Sequence, residues 1–277
     1  MSNIIMSHYP STNMSADCTS CFGLCCVALP YAKSADFPCN KDSGVPCENL
    51  GTDFRCDIHN NLRLKGFRGC SVYECYGAGQ KVSQFTYNGI DWRTNSELAK
   101  EMFQVFPIMQ QLYEMLYYID EALCREEAQP LHNDLKKLFK DTVCLTNLKG
   151  TVILTLDVQR HRVKVNEFLL KTSELVRKEK IIKGTKQKRV SDFIGANLRG
   201  ENLCGRDLRG TLLIAADLRD ADLRYTDLIG ADMRDADIRG ANLIGSLFLT
   251  QAQINAAKGN KHTKLPSSLN KPDHWLI

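Results

Sequence analysis

Residues 191–250 read SDFIG-ANLRG-ENLCG-RDLRG-TLLIA-ADLRD-ADLRY-TDLIG-ADMRD-ADIRG-ANLIG-SLFLT, twelve consecutive units of five. The middle residues, Phe193, Leu198, Leu203, Leu208, Leu213, Leu218, Leu223, Leu228, Met233, Ile238, Leu243 and Phe248, are all large and apolar. Two residues earlier the chain is small in ten of twelve units, and between the two lies Asp or Asn, again in ten of twelve. A period of five suits neither the two-residue pleat of a strand nor the 3.6-residue turn of a helix. The chain must therefore turn a corner at every unit, and four corners return it to the same face after about twenty residues.

This stretch resembles the pentapeptide-repeat family, whose units read A-(D/N)-L-x-x. The resemblance implies a right-handed quadrilateral β-helix, here of three coils and about 15 Å long at a spacing of about 4.8 Å per coil. Residues twenty apart then share a face: Arg199, Arg219 and Arg239 form one column, and Asn197, Asp217 and Asp237 another. Mutual ion pairs that solvate the outer surface are the plain reading of these columns. Glu201 and Arg206 interrupt the small-residue rule and mark an irregular first coil. The segment 251–277 reads as a short helix with a stop at Gly259, capping the open end.

The remaining chain divides by composition. A tail at 1–14 precedes a cysteine-rich module at 15–93, a helical bundle at 94–178 and a basic linker at 179–190, giving with the repeat a multidomain α+β fold. In the bundle, Ser96 is the expected N-cap of a helix with Leu98, Met102, Val105, Phe106, Met109, Leu112, Met115, Leu116 and Ile119 on one face. A second helix begins near Pro130 and carries Leu135, Leu138 and Phe139. A third follows Gly150 and runs through Leu154, Leu156, Val163, Val165, Phe168, Leu169, Leu170, Leu175 and Val176.

The chain has 277 residues, 43% hydrophobic and 25% charged, with a net charge of +4. That charge is too small to argue for nucleic acid or membrane. No apolar run approaches the roughly 18 residues of a membrane span, and no leader pattern opens the chain, so cytoplasmic residence is expected. In a reducing compartment twelve cysteines read as metal ligands rather than disulfides. Nine lie between Cys18 and Cys75, while Cys124 and Cys144 read as core thiols and Cys204 as outward-facing.

Those nine occur as Cys18-Thr-Ser-Cys21-Phe-Gly-Leu-Cys25-Cys26, then Cys39, Cys47 in Pro-Cys-Glu-Asn-Leu50, Cys56-Asp-Ile-His59, and Cys70 and Cys75. Gly23 permits the tight turn of the first motif. The pattern resembles the zinc- or iron-chelating cysteine-cluster (YkgJ-like) family over roughly residues 15–80. Two metal readings fit. Eight thiolates, Cys18, Cys21, Cys25, Cys26, Cys47, Cys56, Cys70 and Cys75, hold two zinc ions, leaving a formal charge of about −4 for Lys33, Lys41, Arg55, Arg63, Lys65 and Arg68 to offset. Alternatively four of them hold an iron–sulfur cluster, which the irregular spacing slightly favours. His59 has the C-x2-H spacing of a ligand with Cys56 but reads rather as a surface group or one that supports the ligands, and Tyr76-Gly-Ala-Gly-Gln80 is a turn leaving the module.

No Ser-His-Asp set, carboxylate pair or nucleotide fingerprint is present, and Asp157 with His161 reads as helix-surface pairing. Gyrase protection by DNA mimicry is disfavoured, because the repeat carries ten acidic and seven basic residues and is short. The preferred reading is an interaction scaffold or a redox- or metal-responsive adaptor that meets a protein partner through the repeat surface. The alternative is an enzyme using the cysteine cluster to modify a protein or small molecule.

Overall fold

A computed structural model of the chain describes residues 14–180 and 192–276. Most of the expected tail and of the basic linker lies outside the described residues. The chain divides into two compact units, Met1–Leu169 and Leu170–Ile277.

The regular elements of the first unit are helical. They are α1 (Leu24–Ala28), α2 (Arg68–Ser71), α3 (Ala78–Gln80), α4 (Ser96–Leu123), α5 (His132–Thr146), α6 (Gly150–Ile153) and α7 (Val158–Arg177), whose last turns belong to the second unit. A six-residue π-helical turn, Lys81–Thr86, continues α3. The centre of this unit is α4, against which α1, α3, α5 and α6 pack. Its stripe from Met102 to Ile119 is buried as expected, together with Tyr113, Tyr118 and Ala122. The N-cap is Asn95 rather than Ser96, its side chain accepting the Leu98 N–H at 3.4 Å. Asn serves there because its short side-chain carbonyl reaches an amide that the helix leaves unpaired.

The third expected helix is interrupted. After α6 the chain breaks, and α7 starts at Val158 with Asp157 accepting the Arg160 N–H at 2.9 Å. Leu154, Val163 and Leu170 are exposed, whereas Ile153, Val165, Leu169 and Val176 are buried. His161 pairs with Thr142 rather than with Asp157: its Nε2 lies 2.9 Å from Thr142 Oγ1, whose hydrogen goes to the Leu138 carbonyl. Cys124 and Cys144 are exposed, not core; Cys144 sits on the outer side of α5, beside buried Thr142, Val143 and Thr146.

The fold class differs from expectation. No β-strand and no sheet occurs among the described residues, so neither an α+β class nor a right-handed quadrilateral β-helix of three coils is formed. The repeat instead forms turns joined by isolated parallel bridges, one residue per unit, between partners twenty apart such as Asn197 with Asp217 and Asp217 with Asp237. Strands cannot develop because every fifth residue has positive φ, from Gly195 through Ala215, Asp220 and Tyr225 to Gly245. Each such residue is the third of a four-residue turn closed, for example, by Ala216 N–H to the Leu213 carbonyl at 3.0 Å. Beyond Thr250 two further parallel bridges occur, Lys258 with Asp237 and Lys264 with Asn242.

The interior of the second unit is the ladder of middle residues from Leu203 to Leu243, with Phe193 and Leu198 packed against it. The Asp or Asn of each unit turns back on the backbone; Asp222 Oδ1, for instance, accepts the Arg224 N–H at 3.1 Å. Arg219, Arg224, Arg234 and Arg239 then pair with the carboxylate two residues before them at 2.6–2.7 Å. In the expected columns Arg219 and Arg239 pair with Asp217 and Asp237, Arg219 also reaching Asp237 at 3.8 Å, while Arg199 faces Asp220 at 3.6 Å. Arg209 and Asp227 form a more deeply buried pair at 2.8 Å. At the far end α8 (Gln251–Ala256) begins with Thr250 as cap, and Gln253 Nε2 donates to the carbonyls of Leu228 and Ala231, both at 2.8 Å. Gly259 is not the helix stop: α8 ends before it, and the Trp275 ring occupies the space a side chain there would need. No helix among the described residues is long and apolar enough to cross a membrane.

Candidate functional site

The nine N-terminal cysteines are carried by short elements and the loops between them. Cys18 opens a 3-10 turn, Cys18–Ser20, capped by Asp17, and Cys21 follows it. Gly23, at φ +64°, starts α1, which presents Cys25 and Cys26 with their sulfurs 4.0 Å apart. Any side chain at Gly23 would meet the Phe54 carbonyl at 2.9 Å, so the turn between the first cysteine pairs requires glycine. The Cys47 N–H donates to the Cys26 carbonyl at 2.9 Å, and Leu50 bridges to Cys56. Cys70 lies on α2, and Cys75 precedes α3.

The glycine-rich segment after Cys75 is more than an exit turn. A Cβ on Gly79 would stand 2.7 Å from the Cys21 sulfur and 3.9 Å from that of Cys75, so this glycine makes room for both. Gln80 fixes the same corner by accepting the Asp17 N–H at 3.1 Å and donating to the Ser15 carbonyl at 2.7 Å. The Phe22 N–H is held by Ser83 Oγ at 3.0 Å. Residues 78–83 therefore form a wall against which the first cysteine motif folds.

Burial dominates the thiols' ionisation. It pushes Cys18 up to about 11 and Cys21 and Cys70 up to about 12, and it raises Cys56 and Cys75. Cys25 is raised well above the ordinary range by its hydrogen bond with Cys26 and then by burial. Neighbouring sulfurs add to this, Cys25 acting on Cys18, Cys21, Cys56, Cys70 and Cys75, and Cys47 on Cys56 and Cys70. Cys39 and Cys47 both act on Tyr31. Among the described residues no disulfide is formed, and no three His, Cys, Asp or Glu side chains converge as the ligands of a single ion do. His59 is exposed.

Lys41 tests whether these residues suit a metal–thiolate group. Its side chain is 7% exposed, and Nζ lies within hydrogen-bond range of three carbonyls, Val27 and Asp42 at 3.2 Å and Val45 at 3.0 Å. Three acceptors match the three hydrogens of an ammonium. A buried cation requires a compensating anion. Burial lowers the Lys41 pKa, and Cys47, Cys26, Cys25 and Asp42 push it back up. Asp42 supplies one such charge, and thiolates on a metal would add to it. In donor chemistry and in charge the residues fit a thiolate-held ion or cluster. Of the other expected counter-charges, Lys33 is exposed, while Arg55 and Arg68 face Asp53 at 3.9 Å and Asp36 at 4.0 Å.

Three further groups carried no spacing signal. Tyr31 donates to the Cys47 sulfur at 3.4 Å, and Asn49 Nδ2 lies 3.7 Å from the same atom. The Tyr73 hydroxyl is buried without a hydrogen-bond partner among the described residues.

With its turns every five residues and its partners twenty apart, the second unit defines a pentapeptide-repeat protein, and a family model described as Pentapeptide repeats matches residues 211–248 in eight copies. That match lies within the repeat and does not reach the cysteine module. Over 272 residues, 97% of this chain and 96% of the other, the sequence is 61% identical to the uncharacterized protein YybG of Bacillus subtilis (strain 168). The chain belongs to the family of YybG, and the similarity takes in the cysteine segment, the helices and the repeat together.

Proposed function

We propose that the protein is a cytoplasmic interaction scaffold in which the repeat is a rigid surface for a protein partner and the cysteine module is a metal–thiolate element, structural or responsive to redox state and metal supply. The observation that carries the metal reading is Lys41, a buried amino group within reach of three carbonyls, on which Cys47, Cys26 and Cys25 act. The scaffold reading is supported by the repeat, whose outer charges are held in Asp–Arg pairs over a continuous apolar ladder. Such a surface is stiff and already solvated, suited to recognition rather than to chemistry.

The cysteines Cys18, Cys21, Cys25, Cys26, Cys47, Cys56, Cys70 and Cys75 would hold the metal, as zinc ions or as an iron–sulfur cluster. The module's helices are short, and ligation would add the folding energy they lack. Anaerobic purification of the full chain, followed by elemental analysis and a visible spectrum, tests the reading. Iron with acid-labile sulfide identifies a cluster, and about two zinc per chain identifies the tetrathiolate alternative. Protein without metal and with all nine thiols freely reactive would sink it.

A further inference from the structure

We propose that one face of the repeat, formed by Ile194, Leu212 and Ile214, is its docking surface and takes a short segment of another protein carrying an aliphatic side chain next to a lysine or arginine. This rests on the scaffold reading above and names the face and the chemistry of the partner. The second and fourth residues of each unit flank the inward middle residue, and in four units they are a paired Asp and Arg. The units at 191–195 and 211–215 break that pattern. Ile194 and Ile214 stand where the paired units carry Arg, and Leu212 stands where they carry Asp. These two units adjoin in successive coils: Asp192 bridges to Leu212, and the Phe193 and Gly195 N–H groups donate to the Leu212 and Ile214 carbonyls, both at 2.8 Å. Backbones bridged in this way lie about 4.8 Å apart, so the aliphatic side chains form one patch. Ile194 is 53% and Leu212 37% exposed, and Ile214 is half-buried. At the next corner nothing lies within 4 Å of where Gly195 would carry a side chain, so the patch is open on that side.

Single exposed apolar residues are ordinary on a protein surface. Ile244 is one: it is exposed on another face, and its neighbour one coil back is Arg224. Three aliphatic residues in register, at positions where the neighbouring units are charged, form a contiguous patch of the kind that marks a contact site. The charge at its edge decides the occupant. Asp192 is exposed, its Oδ1 accepts the Ile194 N–H at 2.9 Å, and among the described residues no cation pairs with it. Every other Asp of the repeat has such a cation, from Arg177 on Asp207 to Lys258 on Asp235. An incoming lysine or arginine completes the one open pair while its aliphatic neighbour covers the patch. Size argues against a second copy of the chain. Two coils on one face offer on the order of 100–200 Å², against about 800 Å² per partner in a stable complex of folded proteins.

The test uses the full chain, purified anaerobically, with isoleucine methyls labelled for NMR. The probes are three short peptides, alternating leucine with lysine, leucine with glutamate, and serine with lysine. The leucine–lysine peptide is expected to shift the Ile194 and Ile214 methyls saturably and to bind at least about ten-fold more tightly than the other two. A triple variant, Ile194→Arg with Leu212→Asp and Ile214→Arg, extends the repeat's own Asp–Arg pattern to this face. By fluorescence anisotropy it should bind the leucine–lysine peptide at least about ten-fold more weakly, while Ile244→Arg binds as wild type does. The wild-type methyl shifts decide the face even where the triple variant melts early. Equal binding of either control peptide overturns the stated partner chemistry, and equal binding by the triple variant overturns the face. Shifts confined to Ile229, Ile238 or Ile244 overturn the proposal and leave the scaffold reading standing; shifts only outside the repeat, or none, overturn both. Self-association of the wild type that the triple variant loses, read by sedimentation, gives the face to a second copy and also overturns the proposal.

Discussion

Asp120, in the last turns of α4, is a carboxyl whose burial raises its pKa from 3.8 to about 6. Between those values the folded chain keeps a proton that the unfolded chain has released. The group therefore lowers stability as pH rises through that window, and the full cost is present above pH 6. Asp120→Asn removes the charge while keeping the shape. It should stabilise the protein by on the order of 1–3 kcal/mol at pH 7 and by little at pH 3.5. Urea unfolding at the two pH values checks this, and a gain of equal size at both would refute the assignment. Such a group is invisible to pattern reading, since Asp120 occupies a position that a surface residue of the helix would also occupy. Lys41 is hidden for a related reason: its three carbonyl partners come from residues 27, 42 and 45, and no local spacing encodes that cage. The cysteine motifs stood out in the sequence because both residue type and spacing recur there, which is what a ligand set would require.

At the level of elements, the apolar stripe of α4 was legible from Met102 to Ile119, because one buried face repeats at helical spacing. The break between α6 and α7 was not, since Leu154, Leu156 and Val163 continue an apolar pattern through a segment that the chain leaves partly exposed. In the repeat, the inward residues and the twenty-residue offset followed from the period of five, but strands did not, because a positive φ at every fifth residue ends each extended stretch. The closure beyond Thr250 depends on a side chain imitating backbone. Gln253 gives both amide hydrogens to the carbonyls of Leu228 and Ala231 while its oxygen accepts the Thr250 N–H at 2.8 Å. Gln253→Ala leaves those carbonyls unpaired and should destabilise the second unit by about 1–3 kcal/mol. Gln253→Glu keeps the acceptor for the cap but cannot donate, so it should reproduce most of the loss. A Glu variant that melts with wild type would show that the two donated bonds carry little stability.

Across the whole molecule the two units differ in what holds them. The repeat has a continuous apolar ladder, with backbone bonds such as Leu218 N–H to the Asp237 carbonyl at 2.8 Å. The cysteine segment has helices of five, four and three residues, α1, α2 and α3, too short to be stable by themselves. If thiolate–metal bonds supply the missing energy, removing the metal should loosen residues 18–75 and leave the repeat as it was. Hydrogen exchange read by mass spectrometry, before and after anaerobic chelation, distinguishes the two. Amides such as Cys47 N–H, bonded to the Cys26 carbonyl, should exchange at least about ten-fold faster once metal is lost, while Leu218 and Leu223 keep their protection. Unchanged exchange in the cysteine segment would mean that the module is held by its own packing, with Phe37 stacked on Tyr31 and Phe67 edge-on to both. Equal loosening of the repeat would mean that the units do not store their stability separately, because nothing in the apolar ladder depends on a thiolate.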